Sequence, residues 1–519
     1  MKMRSILIPL FAAVFAVFCA AACSVARSSS TGSDRAGGEA GSTPSSRAAA
    51  LLGLTADIGL RKEEVHGVLI LHEGKVLYEA YPYPRRAGLR HRILSCTKSV
   101  LSLLVGIAAA DGEFPPPETP VSELFPEESR DWSGAKRNLS VRHLLTMTTG
   151  LQWSETGSYS GPEDSYTAMW RSPDPVQYVL QRPLTGVPGE AFQYNSGASH
   201  LLSAILQDAV GRPAAEFARD RLFDPLGIQD WKWKSDRQGR TAGSDGLVLS
   251  AADLASIGTL LLPGGADGYS PPIPLDWIRE STKKQVDTPT GLAGRYGYGY
   301  QWWINPFGGY SARGFGGQYL FVVPEEKLVA VFFGGLFSGF FLPETWMARW
   351  VLPAARSLAE GTSEELALLS KAVTELESGP PARAVPPLPP AAHALSAGVW
   401  IAPDDSRNSF SFPGGAEGIW TLSQGGETYE LPFGLDGRFR EGTTGSLGPA
   451  EPNPIALRGR WDDDRTFILE YTWLEDPYLY EQRWSIDAGE SNDGATAGYS
   501  ESVPALGQVL TSGSAVRAP

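Results

Sequence analysis

The sequence predicts an α+β protein: an antiparallel sheet flanked by helices, interrupted by an inserted helical block and followed by a small C-terminal all-β domain. Three observations predict it. Strand-like runs lie at 67–80 and again at 318–333, with helical patterns between and after them, and strands segregated from helices indicate α+β layers. A proline-rich stretch from Gly379-Pro380-Pro381 to Pro389-Pro390 then separates this region from a series of short strands and turns. Finally, 519 residues are too many for one hydrophobic core.

Lys2 and Arg4 precede an almost wholly apolar stretch from Ile6 to Ala22 that runs into Cys23. Residues 1–23 therefore read as an export signal, with an uncleaved membrane anchor as the competing reading. Residues 24–47, rich in Ser, Gly, Ala and Thr, read as a flexible tether. Ala20-Ala21-Ala22-Cys23 resembles the lipobox of bacterial lipoproteins. That resemblance implies lipidation at Cys23 and a place in the bacterial cell envelope, periplasmic or membrane-anchored, with membrane contact only through the anchor. Cys96 is then the one cysteine of the folded body, so no disulfide is expected there. It reads as a small buried residue.

Residues 48–360 form the first domain. Gly67–His72 and Lys75–Ala80 flank His72-Glu73-Gly74, a hairpin signal with glycine in the turn. Helical patterns follow from Ser95 and Val141, at His200–Val210, and at Ser250–Leu262, where Ser250 is a plausible N-cap. Two strands, Gln318–Val323 and Leu328–Phe333, precede a closing helix at Trp346–Leu358. Residues 361–391 read as a helical and proline-rich linker and 392–488 as a β meander. The aromatic residues of the meander read as core rather than ligand stack. The Ser/Gly/Ala-rich stretch 489–519 reads as a disordered tail.

Chemistry concentrates in three places. Ser95-Cys96-Thr97-Lys98 opens an apolar helical run. Positions i and i+3 share a helix face, so Lys98 is expected beside the Ser95 hydroxyl. A neutral amine there can take the hydroxyl proton and make the serine a nucleophile. The helix N-terminus and burial both disfavour the lysine cation. A bare serine before an apolar run is otherwise an ordinary N-cap. The second place is Tyr194-Asn195-Ser196, after Pro188-Gly189. Tyr194 is a candidate phenolate base or proton donor, and a buried core tyrosine is the competing reading. The third is Phe315-Gly316-Gly317-Gln318, where glycines at a strand start permit close approach to backbone. The Gln318 N–H, with that of Ser95, is the candidate oxyanion hole.

In this order, the three motifs resemble the serine hydrolases of the class C β-lactamase and penicillin-binding fold. These include esterases, D-aminopeptidases and 6-aminohexanoate-dimer hydrolases. Val141–Leu151, Pro225-Leu226-Gly227-Ile228, Tyr296-Gly297-Tyr298-Gly299 and Trp302-Trp303 carry the resemblance further, across about 65–358. It implies a β-lactamase-like fold and acyl-enzyme hydrolysis of an ester or amide at Ser95, with Lys98 and Tyr194 sharing the proton traffic and no cofactor. Two departures stand out. Ser196 occupies the place of an asparagine, and Phe315 that of a lysine or histidine. Phe315 has no cation to offer a substrate carboxylate, which implies poor β-lactam hydrolysis and favours the esterase and 6-aminohexanoate-dimer-hydrolase branch. Ser196 is a candidate for orienting Lys98 or substrate. Phe315, Gly316 and Gly317 are candidate substrate contacts. Trp153 and Trp170 are candidate pocket walls, with core packing the competing reading.

Composition excludes other classes. Net charge is −14 with no basic stripe, which argues against nucleic acid. The 6 histidines show no metal-ligand spacing, so no metal site is expected. No G-x-S-x-G elbow occurs. The remaining rival is a silent ligand-binding protein of the envelope on the same fold.

Overall fold

The computed structural model describes residues 44–155, 163–265, 273–288, 296–445, 453–487 and 496–518. The export signal, Cys23 and the tether up to residue 43 lie outside the described residues.

Strands whose side chains alternate between two cores build the main sheet of the first domain. Its main sheet has the order β2-β1-β11-β10-β9-β8-β7-β6, antiparallel throughout. The strands are β1 (Val65–His72), β2 (Lys75–Ala80), β6 (Val286–Asp287), β7 (Gly297–Tyr298), β8 (Trp303–Ile304), β9 (Tyr310–Gly314), β10 (Gln318–Val323) and β11 (Leu328–Gly334). A separate small sheet joins β3 (Arg90–Arg92), β4 (Lys232–Trp233) and β5 (Leu247–Ser250) in the order β3-β5-β4.

β10 and β11 are buried along their whole length because both sheet faces are covered. Leu320, Val322, Val329, Val331 and Phe333 face one core, which includes α2 (Cys96–Ala110), α3 (Ser196–Val210) and α4 (Ala251–Thr259). Tyr319, Phe321, Val323, Ala330 and Phe332 face a second core against α1 (Arg47–Gly59) and the helical turns between Leu342 and Arg356. The stretch expected as linker begins with a true helix, α5 (Ser363–Ser378). Its Leu369, Val373 and Leu376 pack on the second core.

The C-terminal domain is a closed barrel of nine strands. They are β12 (Trp400–Ile401), β13 (Arg407–Ser411), β14 (Glu417–Gln424), β15 (Glu427–Gly434), β17 (Asn453–Trp461), β18 (Thr466–Trp473), β19 (Tyr480–Asp487), β20 (Thr496–Val503) and β21 (Gln508–Arg517). A parallel contact, Gly434 opposite Arg458, joins β15 to β17 and closes the ring, while β16 (Arg440–Thr444) pairs outside it with β17. Phe410, Trp420, Phe433, Phe467, Trp484 and Tyr499 fill the interior.

One expectation fails here. The tail read as disordered from 489 contributes β20 and β21, which pair with each other and with β19 and β12. Ser/Gly/Ala composition suggested disorder, but Ala497 and Tyr499 are buried between more exposed neighbours as in a half-buried strand, and Val503 and Ala515 are buried as well. Truncation after Asp487 leaves β19 paired only with β18 and β12 only with β13, each with one open edge, and unpaired edges template aggregation. The expected result is loss of soluble protein and of the cooperative thermal transition, measured by soluble yield and calorimetry.

Candidate active site

Ser95 stands where β3 hands over to α2. The Ile93 N–H donates to the Leu247 carbonyl (3.1 Å), so the small sheet fixes the approach. Leu94 has φ +47°, a left-handed conformation that costs a branched residue roughly 1–2 kcal/mol. Ser95 itself is helical, with φ −67° and ψ −7°, and makes no side-chain cap bond to the helix. The hydroxyl is instead met by Lys98, whose Nζ lies 2.9 Å from Ser95 Oγ. The i, i+3 geometry expected from the sequence is thus realised.

Lys98 is 2% exposed. Its ammonium donates a second bond to the Ser244 carbonyl at 2.7 Å. That carbonyl can come so close because the chain at Gly243 presses on α3: a Cβ there would lie 2.2 Å from the Ser199 carbonyl oxygen. Burial pushes the Lys98 pKa down to about 8, against the pull of the Glu155 and Asp245 carboxylates.

Those carboxylates are themselves tied. Glu155 accepts from Trp153 Nε1 (2.7 Å), the Ser196 N–H (2.6 Å) and Ser196 Oγ (3.0 Å). Burial raises its pKa, opposed by Lys98 and these hydrogen bonds. Asp245 accepts from Lys234 Nζ (2.7 Å), the Tyr166 hydroxyl (2.9 Å) and Ser244 Oγ (2.9 Å). Burial works against its charge, but Lys234 and Arg92 hold its pKa below the usual carboxylate range.

Tyr194 comes from a distant loop. The Gln193 N–H donates to the Met147 carbonyl (2.8 Å) and Asn195 caps α3 through the Ala198 N–H (3.0 Å), so the tyrosine between them is fixed on both sides. Lys98 Nζ sits 4.9 Å from the Tyr194 ring centre. The ring stacks on Trp303, centroids 6.1 Å apart. Burial, then Glu155, raise the Tyr194 pKa above that of a free phenol, while a hydrogen bond with Ser95 lowers it. The three groups named from sequence therefore share one site.

The third motif borders it. The Cys96 thiol donates to the Gln318 carbonyl at 3.4 Å, which joins the start of β10 to the first turn of α2. Gln318 Nε2 donates to the carbonyls of Phe315 (3.0 Å) and Gly334 (2.6 Å) and so braces the glycine turn. Gly316 and Gly317 take φ +75° and +89°. A Cβ on Gly316 would meet the Phe337 ring at 2.8 Å. Phe315 rests on Phe337, centroids 5.1 Å apart.

The Beta-lactamase family model matches residues 61–352. The chain belongs to the beta-lactamase family. A 6-aminohexanoate-dimer hydrolase of Paenarthrobacter ureafaciens is 28% identical over 313 residues, 56% of this chain and 77% of that protein. Esterase EstB of Burkholderia gladioli is 28% identical over 219 residues, 39% of this chain and 55% of the esterase. A solved Bacillus anthracis structure, named as a 6-aminohexanoate-dimer hydrolase, covers 58% of this chain and 81% of its own at 21% identity and TM-score 0.50, a likeness of fold. With relatives named hydrolase and esterase in one family, the protein is a serine hydrolase of the beta-lactamase family.

For a member of that family, several side chains stand differently from the sequence reading. Ser196 is buried and its hydroxyl is spent on Glu155, so it reaches Lys98 only through that carboxylate. Trp153 is 4% exposed, lies against Gly197 and holds Glu155, which makes it packing rather than an open wall. Trp170 lies under Lys234, whose Nζ is 4.1 Å from the ring centre, and so backs the Lys234–Asp245 pair. The nearest arginine to the third motif, Arg313, is 6% exposed and committed to Glu344 (2.9 Å), Ser311 (3.1 Å) and Asn305 (3.0 Å). It does not replace the cation that Phe315 lacks.

Sequence reading missed Glu155, Ser244, Asp245 and Trp303. Glu155 lies two residues after Trp153 in irregular chain, and no spacing links it to Lys98. Ser244-Asp245-Gly246 reads as an ordinary turn. Gly316→Ala forces a left-handed alanine against Phe337. The expected cost is about 1–2 kcal/mol of stability, with a larger fractional loss of turnover than of folded protein, measured by calorimetry and an ester assay side by side.

Proposed function

We propose that the protein hydrolyses neutral esters or amides through an acyl-enzyme on Ser95, with Lys98 as the base and Tyr194 as the proton donor. The observation that carries this reading is Lys98 Nζ at 2.9 Å from Ser95 Oγ with the Tyr194 ring beside the same nitrogen. A lysine with its pKa near 8 has an appreciable neutral fraction at neutral pH, whereas Tyr194 stays protonated. This divides the roles that the sequence left open.

In the first half-reaction Ser95 Oγ bonds to the substrate carbonyl carbon as its proton passes to Lys98. The N–H groups of Ser95 and Gln318 are proposed to hold the oxyanion. Tyr194 gives its proton to the departing alkoxide or amine nitrogen and recovers one from the Lys98 ammonium, which returns the amine to its neutral form. Water then attacks the acyl ester, Lys98 accepts its proton, and the Ser95 oxygen leaves reprotonated. Phe315 and the committed Arg313 leave the third motif without a cation for a substrate carboxylate, which supports neutral esters and amides over penicillins and cephalosporins. Similarity to esterase EstB supports the ester reading, and similarity to a 6-aminohexanoate-dimer hydrolase supports cleavage of an amide. The N-terminal export signal would place the activity in the cell envelope.

Ser95→Ala is expected to abolish turnover of p-nitrophenyl butyrate and labelling by a fluorophosphonate. Tyr194→Phe is expected to slow acylation by about 10²–10⁴, read from the burst phase. Nitrocefin should be turned over far more slowly than the ester. A protein that neither turns over ester nor takes the label would be a ligand-binding relative instead.

The pH dependence follows from Lys98. Its protonated form cannot accept the serine proton, so kcat/KM rises with pH and reaches half its plateau near pH 8. Glu155 stabilises the ammonium, so Glu155→Gln lowers the Lys98 pKa and moves this limb to lower pH. A pH–rate profile distinguishes that shift from a simple loss of activity; a limb that moves upward or stays fixed contradicts the assignment.

A further inference from the structure

A cavity of about 740 Å³ lies where the first domain, the linker and the barrel meet, and none of Ser95, Lys98 or Tyr194 lines it. Its volume falls within the range of small-molecule sites. Tyr83, Leu376, Leu435 and Phe439 supply apolar walls. The charged residues on those walls are mostly matched. Arg458 pairs with Glu63 (3.1 Å) and Glu470 (2.5 Å), and Arg460 pairs with Glu470 (3.2 Å).

Arg85 differs. It lines the cavity and is 8% exposed. Its Nη2 donates to Thr472 Oγ1 (2.9 Å) and the Asp476 carbonyl (3.2 Å). Its Nε is buried with no hydrogen-bond partner among the described residues, and no hydrogen bond engages Nη1. The nearby Asp476 carboxylate is turned to Arg92 at 3.4 Å. A guanidinium buried without a contacting carboxylate is costly, and its planar donors match a carboxylate. Burial accordingly pushes its pKa down.

We infer that this cavity is a second binding site for a monocarboxylate with an apolar body, the carboxylate resting on Arg85. A medium-chain fatty acid and the free C-terminus of an apolar peptide share this chemistry. Lys62 and Arg383 also line the cavity without an ion pair among the described residues, but both are exposed to water; the single buried cation, Arg85, favours a single negative charge over a phosphate dianion. The site is separate from the acyl-enzyme chemistry and does not depend on it.

Calorimetric titration of octanoate into the full-length Ser95→Ala protein tests the inference. One site is expected for octanoate and none for octanol. An acetylated dileucine with a free C-terminus, set against its amide, assigns the source: tighter binding of the peptide acid than of octanoate indicates peptide termini, and the reverse indicates fatty acids. Arg85→Gln should weaken octanoate at least about tenfold, the loss of a charge-assisted hydrogen bond. Ala384→Trp, on the exposed linker wall, should fill the cavity and abolish binding. In the otherwise unaltered enzyme it should leave p-nitrophenyl butyrate turnover unchanged. The second variant decides the matter if Arg85→Gln does not fold. Octanoate binding that survives Ala384→Trp, that octanol reproduces, or that fluorophosphonate labelling of the active enzyme eliminates would overturn the inference.

Discussion

A lysine amine withdrawn from water beside a serine hydroxyl is the constraint around which this site is organised. Burying an ammonium is expensive, and the chain limits the cost in two ways. It lowers the pKa of Lys98 toward neutrality, and it supplies the Ser244 carbonyl as an acceptor with Glu155 and Asp245 as counter-charges. The two effects oppose each other. Desolvation favours the neutral amine that accepts a proton, while the carboxylates favour the ammonium that gives one back. A base of the kind proposed for Lys98 must be reset in every cycle and needs both states within reach, and a pKa near 8 provides that. Either carboxylate left untied would swing the balance, and each is instead held by at least three donors.

Holding these groups in place falls to packing across elements distant in sequence. Gln301, in a left-handed conformation at φ +65°, ties three of them together. Its carbonyl accepts from Ser99 Oγ on α2 (2.6 Å) and its side-chain oxygen from Ser199 Oγ on α3 (2.6 Å). Its amide nitrogen donates to the Leu144 carbonyl (2.9 Å). The helix carrying Ser95 and Lys98 is thereby joined to the helix that begins beside Tyr194. The stretch 141–151 noted in the sequence has its reason here: Met147, at φ +57°, presents its carbonyl to Gln193 and its sulfur to the Asn195 N–H (3.3 Å).

The parts of this arrangement legible in the sequence are those that local geometry imposes. Ser95 and Lys98 are neighbours because three residues make nearly one turn, and β10 and β11 announce themselves as unbroken apolar runs covered on both faces. Tyr194 was legible only through the order of motifs, since nothing local brings it to Lys98. Glu155 and Asp245 were illegible because their roles come from chain crossings, and an isolated acid in a turn has no period to betray it. The two-residue strands β6, β7 and β8 are too short to carry a pattern, and a single parallel pair between β15 and β17 closes the barrel. The last two strands show composition misleading, for small residues suit the inside of a narrow barrel as well as a loose tail.

The barrel is not a passive appendage to this chemistry. Between β18 and β19 its chain turns back against the first domain, where Glu475 pairs with Arg90 (2.5 Å) and Asp476 with Arg92 (3.4 Å), at the two ends of β3. The Arg92 N–H also donates to the Glu475 carbonyl (2.8 Å). β3 is the strand that delivers Ser95, so the barrel loop braces the approach to the proposed nucleophile. The same loop lays Tyr478 flat on Phe337, centroids 5.2 Å apart and planes within 4°, and Phe337 in turn contacts Phe315. An aromatic ladder thus runs from the barrel to Phe315 in the third motif. Phe315 brings no charge to the third motif and supplies the last rung of the ladder. The third motif is therefore a second place, besides β3, where the barrel loop reaches the edge of the site.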